Sequence, residues 1–180
     1  WEQRVAVALD VARGIEFLHR PQPPYHHALV HRDVKPANVL LDKSGRAKLG
    51  DFGLARRLPV PQPGGPSHVD TTEVVGTLGY MPEEYVNGGE LTDRVDVYSF
   101  GVLLAQLITG QGVFVVNRLK DCAEDGNIAG IVDWAAGDWP SECLSVLCEL
   151  VVGCTEQRRR HRPSMRDLVP KLEALCLLFQ

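Results

Sequence analysis

The feature that most constrains this chain is a pair of short polar motifs separated by a predicted β-hairpin. Residues 31–38 read His-Arg-Asp-Val-Lys-Pro-Ala-Asn, and an Asp-Phe-Gly motif begins at Asp51, eighteen residues after Asp33. The runs 39–41 and 47–49 are β-type and are joined by an Asp-Lys-Ser-Gly turn, which predicts that they pair as a hairpin. One short stretch therefore places acidic, basic and amide side chains in a fixed order around a hairpin.

Helices are predicted on both sides of this stretch. Residues 1–20 carry apolar side chains at helical spacing, and residues 91–109 are apolar nearly all round, which predicts a buried helix. Residues 141–155 and 164–178 are two further helix candidates, and residues 28–30 are a short apolar strand candidate. The order of helix, hairpin and then further helices predicts a mainly α fold.

Two segments lack a clear hydrophobic period. Residues 55–75 are rich in Pro, Gly, Ser and Thr, and a loop this long inside a compact domain is usually functional. Residues 113–140 are mixed in character and receive no assignment.

The composition is that of an ordinary globular protein, with 44% hydrophobic and 23% charged residues among 180, enough for one domain or one lobe of a larger one. The net charge of −4 argues against nucleic-acid binding, and the basic run 158–162 is interpreted as a solvated loop. The apolar stretch 95–108 is short and interrupted by polar residues, so no membrane segment is predicted. The five cysteines form no C-x-x-C pair, which indicates reduced thiols in a cytoplasmic setting.

The polar motifs supply the groups that phosphoryl transfer requires, which are mainly groups that position and neutralise charge. Asp33 is placed to accept the proton of a substrate hydroxyl, and Lys35 is placed to reach a transferred γ-phosphate. Asn38 and Asp51 supply oxygen ligands of the kind that Mg²⁺ prefers. A chance tripeptide and an ordinary turn would explain either motif alone, but not both motifs together with Lys35 and Asn38 in position.

The chain resembles the C-terminal lobe of a eukaryotic protein kinase over nearly all of its length. Residues 76–85, Gly-Thr-Leu-Gly-Tyr-Met-Pro-Glu-Glu-Tyr, are similar to the end of a kinase activation segment. Residues 93–101, Asp-Arg-Val-Asp-Val-Tyr-Ser-Phe-Gly, are similar to the start of the buried helix that follows it, and Arg162 with its following proline resembles a late Arg-Pro of the family.

This resemblance implies a mainly α, protein-kinase-like C-terminal lobe with a small β-hairpin near the catalytic loop. Residues 1–180 would form that lobe only, as a fragment without the N-terminal β lobe, and residues 51–84 would form the activation segment. The implied activity is ATP-dependent and Mg²⁺-dependent phosphorylation of a protein substrate.

The resemblance also implies roles for scaffold residues and a substrate class. Glu84 is expected to form a buried ion pair with Arg162, and Asp96 is expected to brace the backbone of the loop at residue 31; these three perform no chemistry. Lys35 and Thr77 resemble the serine/threonine group of kinases, in which the threonine hydroxyl helps to hold the catalytic aspartate and lysine.

An arginine before the catalytic aspartate resembles kinases that are regulated by phosphorylation of the activation loop. Arg32 would pair with the phosphate, with help from Arg56 and Arg57, and the alternative is that these last two are simply solvated. Thr71 and Thr72 are the candidate phosphosites, with Ser67 a weaker one, and the alternative is that all three are ordinary loop hydroxyls.

The motifs are most similar to those of receptor-like and interleukin-1-receptor-associated (Pelle-like) serine/threonine kinases. Residues 49–56 and 76–80 carry this likeness, whereas residues 82–84 read Pro-Glu-Glu where most kinases have Ala-Pro-Glu. The likeness implies receptor-proximal signalling, an upstream receptor or adaptor as a partner, and a cytoplasmic location. Membrane association through other parts of a parent protein stays open.

Two features of the family are not found before Asp33, namely a G-x-G-x-x-G loop and a Val-Ala-Ile-Lys strand. We therefore expect the chain alone to have little or no kinase activity, and the full-length parent to be active. The alternative is a non-catalytic scaffold or a truncated pseudokinase-like interaction module. The presence of Asp33, Lys35, Asn38 and Asp51 favours the enzyme.

Overall fold

The structure, a computed structural model, describes residues 1–21, 27–59 and 68–178. Helices dominate these ranges, as the sequence predicts. They are α1 (Glu2–His19), α2 (Glu83–Gly88), α3 (Arg94–Thr109), α4 (Val115–Glu124), α5 (Ser141–Cys154) and α6 (Met165–Leu178). The strands in the same ranges are short and pair two by two in antiparallel fashion: β1 (Leu29–Val30) with β4 (Arg56–Arg57), β2 (Val39–Leu41) with β3 (Ala47–Leu49), and β5 (Val69–Asp70) with β6 (Glu90–Leu91).

Helix α3 forms the centre of the fold and is buried on nearly all sides, which confirms the prediction from its apolar sequence. It packs against α5, α1 and α4, while α1 lies along α6. The contact with α5 is close at Gly101, where an added Cβ atom would lie 2.6 Å from Cβ of Cys154. This close packing fixes the position of α3, so its first turn is a rigid element that neighbouring loops can contact.

The β2–β3 hairpin forms as predicted, with Val39 opposite Leu49. Asp10 of α1 holds the hairpin in place. Its carboxylate accepts two hydrogen bonds from the Arg46 guanidinium, at 2.6 and 2.8 Å, and one from the backbone N–H of Ala47 at 3.0 Å. Because a bidentate arginine–carboxylate pair has a defined geometry, the orientation of the hairpin on α1 is fixed.

Helix α3 begins at Arg94 and not at Leu91, so the predicted start is wrong. Leu91 belongs to β6, where it lies opposite Val69. The hydroxyl of Thr92 accepts a hydrogen bond from the backbone N–H of Arg94, which satisfies one of the donors at the start of the helix.

Several short elements lie in segments to which the sequence assigns none. Strands β4 and β5 fall in the predicted loop 55–75, of which residues 60–67, including Ser67, lie outside the described residues. Helix α4 falls in the unassigned segment 113–140, together with 3-10 turns at Ile128–Gly130 and Trp134–Ala136.

The described ranges contain no helix that is long and apolar enough to cross a membrane. All five cysteines are free thiols, as expected. The basic run between α5 and α6 is less solvated than the sequence suggests, because Arg159 pairs with Glu90 and Arg162 pairs with Glu84.

Candidate active site

The Asp33 carboxylate lies at the centre of a compact hydrogen-bonded group. Oδ1 accepts a hydrogen bond from the Thr77 hydroxyl at 2.6 Å. Oδ2 lies 2.8 Å from the Lys35 ammonium and 3.0 Å from the Asn38 amide nitrogen, which donates to it. The Lys35 ammonium also donates to the Thr77 hydroxyl at 2.7 Å. The structure thus brings together four residues that the sequence singles out, although Thr77 is 44 positions from Asp33.

These contacts set the protonation state of Asp33. Burial by itself would raise the pKa of this carboxyl, but the hydrogen bonds from Lys35, Thr77 and Asn38 outweigh burial and hold the pKa below its usual value. Asp33 is therefore a carboxylate at neutral pH, and it can accept a proton or a hydrogen bond from a hydroxyl group.

Thr77 reaches Asp33 because the chain just before it passes very close to the loop that carries Asp33. Gly76 has φ of 136°, and a Cβ atom added to it would lie 2.6 Å from the backbone oxygen of Arg32. Only glycine fits this approach and this backbone conformation without strain.

Asn38 and Asp51 lie at the same end of the hairpin. Strand β2 begins directly after Asn38, β3 ends at Leu49, and the Gly50 N–H donates to the Asn38 carbonyl at 2.8 Å. This hydrogen bond extends the pairing of β2 with β3 by one residue pair. Asp51 follows immediately, is exposed, and has a left-handed backbone with φ of 58°.

The donor set at this end of the hairpin fits Mg²⁺. The Asn38 amide nitrogen donates to the backbone oxygen of Asp33 at 2.8 Å and to its Oδ2 at 3.0 Å, so the amide oxygen is the atom turned away from Asp33. An amide oxygen and the exposed Asp51 carboxylate suit Mg²⁺, which keeps water and phosphate oxygens as its other ligands. In the described ranges no three His, Cys, Asp or Glu side chains form a group that could hold a metal, so a metal site made only of such side chains is not found in these ranges.

Asp96 of α3 holds the backbone of the loop before Asp33. Its fully buried carboxylate accepts hydrogen bonds from the backbone N–H of His31 at 2.8 Å and of Arg32 at 2.9 Å. The expected bracing contact is thus present. Oδ2 of Asp96 also lies 2.9 Å from Nε2 of His19, a contact that the sequence does not predict.

The His31 side chain links this loop to the second motif. Its Nδ1 accepts a hydrogen bond from the Asp33 N–H at 3.3 Å, and its Nε2 lies 3.0 Å from the Gly50 carbonyl oxygen. These partners assign the proton to Nε2. The ring also makes an edge contact with Phe52, with ring centres 5.1 Å apart. The two motifs therefore form one packed unit.

The candidate regulatory residues differ in their surroundings. Thr71 is half-buried, and its hydroxyl accepts a hydrogen bond from Arg56 at 2.6 Å, whereas Thr72 is exposed. The Arg32 guanidinium is buried and donates through Nε to the carbonyl of Leu54. Its Nη1 has no hydrogen-bond partner in the part of the chain that the structure describes.

The expected ion pair between Glu84 and Arg162 is present. The two carboxylate oxygens accept hydrogen bonds from Nη1 and Nη2 at 2.6 and 3.0 Å, and the arginine side chain is 1% exposed. Arg162 also donates to the backbone oxygens of Glu156 and Gln157 and lies 5.0 Å from the centre of the Tyr98 ring. A buried pair of this kind is strongly destabilised when one partner is removed.

Other residues that hold the site have no distinguishing signal in the sequence. Ser99 of α3 donates to the backbone oxygen of Tyr80 at 2.7 Å. The hydroxyl of the fully buried Tyr85 contacts both the N–H and the carbonyl of Val75 at 3.2 Å. These contacts fix the segment on both sides of Thr77, but they depend on long-range packing that a single sequence does not reveal.

The mainly helical fold with its small strand pairs is that of the C-terminal lobe of a protein kinase. The protein kinase domain family model matches residues 2–171, and the chain therefore belongs to the protein kinase family.

The chain is also similar to individual proteins, one of which is named as a serine/threonine-protein kinase. The chain is 40% identical over 189 residues to a probable LRR receptor-like serine/threonine-protein kinase of Arabidopsis thaliana, with 100% of this chain and 20% of that protein covered. It is 38% identical over 178 residues to U-box domain-containing protein 52 of Arabidopsis thaliana, with 97% and 21% covered. It is 37% identical over 166 residues to U-box domain-containing protein 70 of Oryza sativa subsp. japonica, with 92% and 20% covered. The chain spans about a fifth of the length of these relatives.

Proposed function

We propose that the protein to which this chain belongs transfers the γ-phosphate of ATP to serine and threonine hydroxyls of protein substrates. The observation that carries the proposal is the Asp33 carboxylate, which is ionised and oriented by Lys35, Thr77 and Asn38 at once. Because phosphoryl transfer has a loose transition state, a well-oriented carboxylate matters more than a strongly basic one.

Each residue of the group has a separate part in this proposal. Asp33 orients the substrate hydroxyl and receives its proton, while Lys35 places a positive charge beside the transferred phosphate. Asn38 and Asp51 would hold Mg²⁺, which when bound neutralises negative charge on the phosphate oxygens. Thr77 keeps Asp33 and Lys35 in their relative position.

Residues 51–84 would then form the activation segment, with Thr71 as its phosphorylation site. Thr71 already accepts a hydrogen bond from Arg56, and the buried Arg32 guanidinium has an N–H group without a partner in the described ranges. A phosphate next to these cations would gain charge-assisted hydrogen bonds. Thr72 is the alternative site because it is exposed.

The substrate class and cellular role are proposed from the same residues and from the relatives. Lys35 and Thr77 favour serine/threonine transfer, and one relative is named as a receptor-like serine/threonine-protein kinase. We infer a cytoplasmic kinase region that acts close to a receptor or adaptor.

The test is a phosphotransfer assay on the full-length protein with Mg²⁺, ATP and a general protein substrate. Asp33→Asn is expected to lower kcat by about 10²–10⁴-fold, the range for loss of a catalytic acid or base. Asp138→Asn, an exposed carboxylate away from the site, is the control and should change nothing. Undiminished turnover in Asp33→Asn, or phosphate found only on tyrosine, would contradict the proposal. The same assay on residues 1–180 tests whether the chain alone is nearly inactive.

A further inference from the structure

We propose that Arg159 controls access to Thr71, because its side chain holds both sides of the β5–β6 pair against the loop between α5 and α6. Thr71 directly follows β5, and Gly89 directly precedes β6. The part of this inference that concerns phosphorylation rests on the proposed function, in which Thr71 is the phosphorylation site.

The Arg159 guanidinium contacts a residue on each side of the strand pair. Its Nη2 donates a hydrogen bond to Nδ1 of His68 at 2.9 Å, and its Nε lies 3.1 Å from Oε2 of Glu90. His68 directly precedes β5, and Glu90 is the first residue of β6. A guanidinium can only donate, so the His68 ring carries its proton on Nε2, which lies 3.1 Å from Oδ1 of Asp70. One arginine thus binds the two chain segments that form the pair.

The loop that carries Arg159 is itself anchored in the helical core. Residues Arg159–His161 form a 3-10 turn that packs on α3. Arg162 directly follows this turn, is 1% exposed, and donates to Glu84 and to the backbone oxygen of Arg94. Arg159 therefore ties β5 and β6 to a support that does not depend on their own pairing.

Thr71 is held closed in this arrangement. Its N–H donates to the Gly89 carbonyl at 3.0 Å, and its hydroxyl accepts hydrogen bonds from Arg56 at 2.6 Å and from the Glu73 N–H at 3.1 Å. A Cβ atom added to Gly89 would lie 2.2 Å from the Thr71 backbone oxygen, so the two segments are in close contact. An enzyme that modifies the hydroxyl must reach around the Thr71 backbone, and this requires local opening of the β5–β6 pair.

Hydrogen exchange in the full-length protein tests this role without any need for kinase activity. In Arg159→Gln the ion pair with Glu90 and the charge-assisted hydrogen bond to His68 are lost, and the amides of residues 71 and 73 should exchange about 3–10-fold faster. The Gly50 amide, which is bonded to the Asn38 carbonyl beside the β2–β3 hairpin, should keep its wild-type rate. The matched control is Arg158→Gln, at the neighbouring exposed arginine, and it should change neither rate.

The two partners of Arg159 provide a second test through additivity. His68→Phe and Glu90→Gln should each raise exchange at residues 71 and 73, and adding Arg159→Gln to the variant with both changes should have little further effect. The inference is wrong if Arg159→Gln leaves these amides unchanged, if Arg158→Gln affects them as much, or if the Gly50 amide responds equally. A full effect of Arg159→Gln in the absence of both partners would also overturn it.

The rate of phosphorylation tests the consequence for Thr71. The wild-type full-length protein serves as the kinase and its Asp33→Asn variant as the substrate, so that changes at residue 159 do not alter the catalyst. Adding Arg159→Gln to the substrate should raise the initial rate of Thr71 phosphorylation by the same factor as the exchange rate, whereas adding Arg158→Gln should not. If exchange rises and this rate does not, Arg159 does not control access. If exchange rises as expected and no variant carries phosphate on Thr71, the proposed phosphorylation site fails and the holding role of Arg159 stands.

Discussion

At the scale of single residues, the site is built from backbone conformations that cost energy. In the described ranges, Arg32 and Asp51 are the residues other than glycine with positive φ, at 69° and 58°. Each such conformation costs about 1–2 kcal/mol. Both residues border the candidate active site, since Arg32 precedes Asp33 and Asp51 opens the Asp-Phe-Gly motif. Strain of this kind concentrates at functional sites, where surrounding contacts hold it in place.

A residue-scale prediction concerns the hydroxyl of Thr77. Thr77→Val keeps the shape of the side chain but removes a hydrogen bond to Asp33, so the pKa of Asp33 should rise from its lowered value. NMR titration of the Asp33 carboxyl carbon measures this change. The variant should also be less stable by about 1.5–3 kcal/mol at pH 7, the usual range for hydrogen bonds to charged groups.

The sign of the pH dependence follows from the lowered pKa. The hydrogen bonds to Asp33 stabilise the fold above the unfolded pKa of about 3.9, and this contribution is lost as the pH falls through the folded pKa. The stability difference between Thr77→Val and wild type should therefore shrink in acid. The control is Thr155→Val, which removes a buried hydroxyl bonded to a backbone oxygen, and its effect should not depend on pH. An unchanged Asp33 titration in Thr77→Val would contradict the prediction.

At the scale of elements, the close contact between α3 and α5 sets the position of the site, because Asp96 stands on α3. Gly101→Ala would place a Cβ atom 2.6 Å from Cβ of Cys154 and 2.8 Å from Cγ2 of Thr155. The helices must then move apart, and we expect a net loss of about 1–3 kcal/mol in the free energy of unfolding.

The matched control is Gly14→Ala in α1, where the added Cβ would meet only ordinary contact, 3.8 Å from Leu49. That variant should gain up to about 1 kcal/mol, because alanine favours a helix more than glycine does. Urea denaturation of both variants measures the difference. If Gly101→Ala is as stable as Gly14→Ala, the packing of α3 on α5 is looser than the structure shows.

Elements with a long, regular pattern could be predicted from the sequence, and short elements could not. The hairpin was predictable because its two strands are local and carry a turn sequence, and α5 and α6 because their apolar period persists for several turns. Strand β5 has two residues and exists only through its pairing with β6, some twenty positions away. Two residues show no period, and pairing at that distance depends on tertiary packing.

The residues of the candidate site also fall into some that could be predicted from the sequence and some that could not. The four residues Asp33, Lys35, Asn38 and Asp51 could be named from the sequence because they stand in one short stretch. His19 could not, since a single histidine at a helix end gives no sign of a partner on α3.

At the scale of the whole molecule, the described residues form a main core and a smaller apolar cluster. The main core joins α1, α3, α4, α5 and α6, and the smaller cluster consists of Val30, Tyr85, Leu91 and Val95. Arg162 connects the two regions, because it binds Glu84 next to Tyr85 and donates to the backbone oxygens of Glu156 and Gln157. The segment around Thr77 is thereby tied to the stable helical core.

A whole-molecule prediction follows from thiols in the main core. Burial raises the pKa of Cys143 and of Cys148 to about 11 and that of Cys154 to about 12. In the unfolded chain these thiols ionise near pH 8.5. Because the folded pKa values are raised, their contribution to stability is fully present below pH about 8.5 and is lost as the pH rises through the folded values. The free energy of unfolding should thus fall by about 1.4 kcal/mol per pH unit for each thiol in that window.

Urea denaturation between pH 8 and 10.5, under reducing conditions, measures this slope. Cys154→Ala should be less stable at pH 8 because a buried group is lost. Its free energy of unfolding should also fall less steeply with rising pH than that of the wild type, and the difference in slope should equal the contribution of one thiol. Val151→Ala, which also removes a buried group from α5 but no thiol, is the control and should keep the wild-type slope. Parallel curves for wild type and Cys154→Ala would mean that the Cys154 thiol ionises as readily in the folded protein as in the unfolded chain. Such a result would contradict the complete burial of Cys154 at the close contact of α5 with Gly101 of α3.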